Sequence, residues 1–218
     1  LHRPGSSTGA LVTALGFGLA AFVLLAAVQS AIDGNIERRV PDQAPDYFVL
    51  DVPRDRVTAF EDLVRSEDPE ADIRTVPALR GAVLAFGSDG DMTRTAELEE
   101  IPDGAWALRG ERGLTYADEV PPGNTIVEGD WWGPFHEGEA LVSVDQEFAE
   151  AAGLEIGDLL TFGVLGTERT ARIANLRTID WESLGFNYVF VLSPNALDDV
   201  PHNLAATIEL ADETPTAP

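Results

Sequence analysis

Residues 47–88 read YFVLDVPRDRVTAFEDLVRSEDPEADIRTVPALRGAVLAFGS, and the reading of this stretch decides the fold. YFVLDV (47–52) is a short apolar run of β-forming residues. Val57, Phe60, Leu63 and Val64 then recur at helical spacing, with start signals from Asp51 to Asp55 and a stop at Pro69. DIRTVPALRGAVLAFGS reads as a second strand, interrupted or edge-located at Pro77. Together these pieces make a β-α-β opening.

The end of the chain matches it. FNYVFVLS (186–193) predicts a strong strand, Pro194 opens a short helix through Leu197, and NLAATIEL (203–210) predicts another strand. Between the two lie short β-like pieces, WALRG, TIVEG, ALVSV, DLLTFGVLG and TERTARIANL, broken by the turn signals PPGN and GPFHEG. One amphipathic helix interrupts them, DQEFAEAAGL, with Phe148, Ala149, Ala152 and Leu154 on its buried side and Gly153 as end cap. The expected fold class is therefore α+β: a split β-α-β part, 46–88 and 185–212, carrying an inserted β-rich subdomain at 89–184, with a tail at 213–218.

Upstream of the fold, no charged residue occurs from Ser6 to Ile32. At about 1.5 Å per residue, roughly 20 apolar residues cross a bilayer core, so 10–32 is expected to be a transmembrane helix. It sits between a flank at 1–9 and a polar juxtamembrane connector at 33–45. A secretory signal peptide is the rival reading, disfavoured because the apolar run exceeds a typical h-region of roughly 7–15 residues. Arg3 on one side and Arg38 and Arg39 on the other leave the orientation unmarked. Ala10, Ala14 and Gly18 are candidate helix-packing positions, since small residues let a second helix approach closely. The first residue is Leu1, which suits an excerpt from a longer polypeptide.

The charge balance limits the partners. Thirty-eight acidic residues face 14 basic ones, for a formal net charge of −24, and every basic residue is arginine. A polyanion is therefore not an expected partner, and nucleic acid is excluded on the same ground. An acidic, lysine-free surface also fits a saline habitat, and a codon bias toward arginine explains the missing lysine equally well. Without cysteine there are no disulfides, thiolate metal sites or cysteine nucleophiles.

Signals for catalysis are poor. GSSTG at 5–9 has the nucleophile-elbow pattern around Ser7 but no preceding strand. His2, His136 and His202 show no ligand spacing, and His136 reads as a solvated loop residue. The stretch from Asp89 to Glu100 resembles a calcium loop, yet Arg94 stands where the sharp turn needs glycine. No P-loop or dinucleotide fingerprint occurs, so no cofactor and no catalytic or metal-binding residue is expected.

Three longer runs carry a resemblance: WALRGERGLTYADEVPPGNTIVEGDWW, ALVSVDQEFAEAAGLEIGDLLTFGVLG and LRTIDWESLGFNYVFVLSPNALDDVP. They resemble the large extracytoplasmic domain of FtsX-like or MacB-like ABC transporter permeases, and within that group most the YbbP-type permease. Val142, Ser143, Phe148, Ala149, Gly153, Leu154, Gly157, Asp158, Phe162 and Gly166 match a pattern shared by the wider superfamily. LTYAD, GDWW, DWES and SPNALDD resemble the YbbP-type branch and are considerably more specific than that shared pattern. The resemblance covers most of 10–212 and implies a porter-like α+β part with a β-rich insertion. It implies a non-catalytic permease subunit of a bacterial inner membrane, with its globular domain in the periplasm. Its implied partners are a cytoplasmic ABC ATPase subunit, a second permease protomer, membrane lipid and a periplasmic lysophospholipase or thioesterase. The implied activity is mechanical extraction or transport of lipid, lipoprotein or other hydrophobic cargo.

On a strand, the adjacent Trp131 and Trp132 would point to opposite faces, one into the core and the other toward a partner or lipid. With Phe135 they form the candidate contact site. The alternative functional reading is a single-span membrane-anchored sensor or ligand-binding ectodomain using this aromatic loop. An anchored hydrolase is a third reading, resting on Ser7 or an unseen carboxylate pair.

Overall fold

The chain divides into two units, Leu1–Gln43 and Ala44–Pro218. The computed structural model describes residues 8–39, 45–183 and 185–211, with side chains inside the first helix described for 12–27 and 29. His2, Ser7 and the tail at 213–218 lie outside the described residues.

In the first unit, Thr8–Arg39 forms one helix of 32 residues, α1, longer at both ends than the 10–32 expected. Val12, Leu15, Phe17, Leu19, Phe22, Val23, Leu24 and Leu25 are all exposed along it. Among the described residues no helix is long and apolar enough to cross a membrane. Ala14 and Gly18 are exposed, a side chain at Gly18 would meet nothing within 4 Å, and the side chain of Ala10 lies outside the described ones.

The second unit contains, in chain order, β1 (Tyr47–Pro53), α2 (Val57–Glu67), β2 (Asp72–Ser88), β3 (Asp91–Arg94), β4 (Arg112–Tyr116), β5 (Asn124–Gly129), β6 (Leu141–Asp145), α3 (Gln146–Ala152), β7 (Leu159–Val164), β8 (Thr167–Ile179), β9 (Phe190–Leu192), α4 (Pro194–Leu197) and β10 (Asn203–Glu209). The architecture is mixed α+β. β10 lies antiparallel between β1 and the first half of β2, a split β-α-β arrangement completed by α2. Pro77 falls where β2 pairs with β10 on one side only, an edge position that tolerates proline.

The second half of β2 enters a different structure. β2 pairs with β4, β4 with β9, β9 with β6, β6 with β8, β8 with β7, and β7 again with β2. These six strands therefore close into a small barrel, which removes their free edges. Its core includes Val83, Leu114, Val142, Val144, Leu160, Phe162, Ile173, Phe190 and Leu192. Phe190 meets Phe148 of α3 and Phe162 of β7 edge-on at 5.1 and 5.2 Å. β5 extends the far end of β8, and β3 makes a hairpin with β2. The piece expected at 185–212 divides between the two structures, with β9 inside the barrel and β10 in the split part.

Two expected strands differ. WALRG is a 3-10 turn at Trp106–Leu108, because Leu108 N–H bonds to the Ala105 carbonyl and Arg109 N–H to the Trp106 carbonyl. Ala107 and Leu108, adjacent in the turn, are both buried, which strand alternation would not allow on a one-sided sheet. FNYVFVLS contributes only Phe190–Leu192, since the buried Arg177 guanidinium donates to the carbonyls of Tyr188 and Val189. Asn187 turns away to donate to the Asp180 and Ser183 carbonyls.

Candidate functional site

β5 ends at Gly129 with φ of 76°, where an added Cβ would stand 2.3 Å from the Ala174 carbonyl oxygen. Only glycine fits there, and the chain leaves the ladder. The next residues form a loop. Asn175, fully buried, accepts from Ser143 Oγ at 2.5 Å and donates to the Asp130 carbonyl at 3.1 Å, so the core holds the loop's first residue.

Trp131 and Trp132 follow. Trp131 Nε1 donates to the Asp118 carbonyl at 2.9 Å and Trp132 Nε1 to the Ala117 carbonyl at 2.8 Å. The rings stack with centroids 4.0 Å apart and planes 30° apart. The expectation of opposite faces fails because these residues lie beyond the end of β5, where side-chain alternation has no pleat to impose it. Trp132 is only 5 % exposed, and Trp131 is half-buried. Both serve as a clamp on the segment after β4.

Phe135 is the opposite case. It is 89 % exposed and holds φ at 60° in the left-handed region. The loop's return is pinned as firmly as its start. His136 Nε2 donates to the Glu139 carbonyl at 2.9 Å, and Asn195 Nδ2 donates to the Gly138 carbonyl at 3.0 Å. Arg172 grips the Glu139 carboxylate through Nε at 2.9 Å and Nη2 at 2.8 Å, holding that carboxyl below its ordinary range. Ser193 completes the anchorage, donating to Asn195 Oδ1 at 2.6 Å and accepting from Leu141 N–H at 2.9 Å.

A second cluster joins the barrel to the split part. The Tyr116 hydroxyl lies 3.2 Å from Asp198 Oδ1 and 3.1 Å from His202 Nε2. His202 Nδ1 donates to the Val200 carbonyl at 2.6 Å. Arg54 Nη2 meets Asp198 Oδ1 at 2.5 Å, and its Nη1 donates to the Asp198 carbonyl at 3.0 Å. Burial pushes the Tyr116 phenol up to about 12, and the Arg54 hydrogen bond holds the Asp198 carboxyl below its ordinary value. The arrangement is a polar joint between Arg54, before α2, and Tyr116 on β4. Sequence reasoning missed it, because Tyr116, Asp198 and His202 carry no recognisable spacing.

The calcium-loop resemblance resolves differently. Asp91, Met92, Thr93 and Arg94 pair along β2 as β3, so that stretch is a hairpin.

Three of the four stretches LTYAD, GDWW, DWES and SPNALDD thus meet. The indoles of GDWW bond to carbonyls of LTYAD, SPNALDD holds the loop's return through Asn195, and Tyr116 of LTYAD reaches Asp198 of SPNALDD. The fourth, DWES, forms a separate turn in which Asp180 N–H bonds to the Gly123 carbonyl and Ser183 Oγ to the Asp180 carbonyl. The chain is similar to an ABC transporter permease. It is 26 % identical over 205 residues, 93 % of its length, to the uncharacterized ABC transporter permease YbbP of Escherichia coli (strain K12). The chain spans 23 % of that relative's length. No family model matches.

Proposed function

We propose that this chain is the extracytoplasmic part of an ABC transporter permease subunit of the FtsX-like or MacB-like kind, with α1 as the membrane span before the domain. The observation that carries this reading is the 26 % identity across 93 % of the chain to an ABC transporter permease. The uncharged run from Ser6 to Ile32 supports the span. The subunit itself is non-catalytic. ATP hydrolysis belongs to a separate cytoplasmic ATPase, and a second permease protomer completes the transporter. The barrel and its split β-α-β companion stand in the periplasm, where they pass mechanical work to lipid, lipoprotein or other hydrophobic cargo. A periplasmic lysophospholipase or thioesterase is the proposed enzyme partner. Phe135 is the contact residue of the aromatic loop, with Trp131 and Trp132 as its support.

These 218 residues contain no cysteine, so with any cysteine elsewhere in the full-length protein replaced, a single introduced thiol tests topology. Leu165, exposed at the turn between β7 and β8, is replaced by cysteine in the full-length protein, and intact cells are treated with a membrane-impermeant maleimide. Labelling before lysis is expected. Labelling only after permeabilisation would place the domain on the cytoplasmic side and sink the proposal.

A further inference from the structure

We propose that Phe135 is a preformed anchor for a partner protein that offers an apolar socket with a basic rim. The assignment deepens the permease reading and rests on it only in placing the loop outside the cytoplasm.

An apolar ring left 89 % exposed gains nothing from the fold. Its backbone φ of 60° is unfavourable for any residue with a Cβ. The neighbouring structure nevertheless holds this conformation from both sides. Asn175 fixes the entry at Asp130, the Trp131 and Trp132 indoles clamp the next two residues, and Asn195 fixes the exit at Gly138. A loop ordered before binding loses little further entropy when a partner arrives, so a single aromatic side chain on it becomes an efficient contact. Buried aromatic anchors are the residues on which interface energy concentrates.

Charge selects the occupant. From Asp118 to Gly138 the chain carries Asp118, Glu119, Glu128, Asp130 and Glu137, all exposed, and no arginine. Arg172, the cation at the base of the loop, is engaged by Glu139. An anionic lipid surface would be repelled by these exposed carboxylates, and a second copy of so acidic a chain would be repelled likewise. A protein socket rimmed with arginine or lysine is attracted, with faster encounter at low salt.

The test uses the full chain in its host membrane, with a benzophenone amino acid placed at position 135. The crosslinked product is identified by mass spectrometry, and the captured protein is then purified. Its affinity for the full chain is measured at low and high salt against the wild type, Phe135→Ser and Glu137→Arg, with thermal melting as the folding control. The expected result is a captured protein with basic residues around an apolar pocket. Phe135→Ser should bind at least about tenfold more weakly with unchanged melting, and Glu137→Arg should lose part of the salt dependence. The proposal is overturned by a photoproduct with lipid, by one with a second copy of this chain, or by no photoproduct. It is equally overturned by Phe135-dependent sedimentation of the chain with vesicles of phosphatidylethanolamine and phosphatidylglycerol. None of those results touches the permease reading, which is decided separately by whether an ATPase accompanies the full-length protein.

Discussion

Phe135 and Trp132 stand three positions apart and differ in what each does for stability. Trp132 is buried and hydrogen-bonded to Ala117, so Trp132→Ala should cost about 3–5 kcal/mol, seen as a lower denaturation midpoint. Phe135 packs against nothing that a glycine would forfeit, and glycine adopts positive φ freely. Phe135→Gly should therefore raise stability by about 1 kcal/mol, measured in the same denaturant titration. A loss of stability would show that the ring has an intramolecular role. The sequence marks this corner through its paired tryptophans, glycines and acidic residues. It does not show that both indoles turn the same way, because that follows from Gly129 meeting the Ala174 carbonyl across a strand register set 45 residues away. Tyr116 and His202 are invisible for the same reason: 86 positions separate two rings that touch edge-on at 5.4 Å.

Among the elements, α3 is the most legible. Asp145 accepts from Phe148 N–H at the N-cap, and Gly153 ends the helix at φ 67°, both local devices written in consecutive residues. β9 is the least legible, because a partner outside it decides its length. The fully buried Arg177 in β8 donates to the carbonyls of Tyr188 and Val189, and burial pulls its guanidinium down to about 10. Arg177→Met keeps the bulk but removes the donor to the Tyr188 carbonyl, leaves the Val189 carbonyl with the Asp145 N–H, and removes the cation facing Asp145. It should destabilise the protein by about 2–4 kcal/mol, and hydrogen exchange should rise first at residues 186–192. Uniform exchange along the barrel would contradict this placement. WALRG was misread as a strand because its apolar residues pack in sequence around a tight turn, a pattern that strand propensity alone cannot separate from an extended one.

At the scale of the molecule, the mixed α+β character and the split β-α-β arrangement follow from alternation and spacing, whereas closure of the barrel follows from six non-local pairings. β2 serves both structures, and no composition shift at Leu79 marks where it passes from β10 to β4. The joint at Asp198 gives the fold a defined acid response. Because Arg54 depresses the Asp198 carboxyl below its ordinary 3.8, its contribution is present above that value and lost as pH falls through the lower folded value. Arg54→Gln should flatten this part of the acid limb in pH-dependent unfolding, by a small amount because the pair is half-exposed to solvent. The net charge of −24 acts over the whole surface. Raising potassium chloride from about 0.1 M to about 1 M shortens the screening length from about 10 to about 3 Å and should raise the melting temperature. Equal melting at both salts would remove self-repulsion from the account.

The most direct test of the central claim is purification of the full-length protein from membranes that also express its neighbouring genes, followed by assay of ATP hydrolysis. The account predicts that a P-loop ATPase subunit accompanies the protein and that hydrolysis disappears when the P-loop lysine of that subunit is replaced. A protein that purifies intact from those membranes with no ATPase subunit and no hydrolysis would contradict the permease assignment.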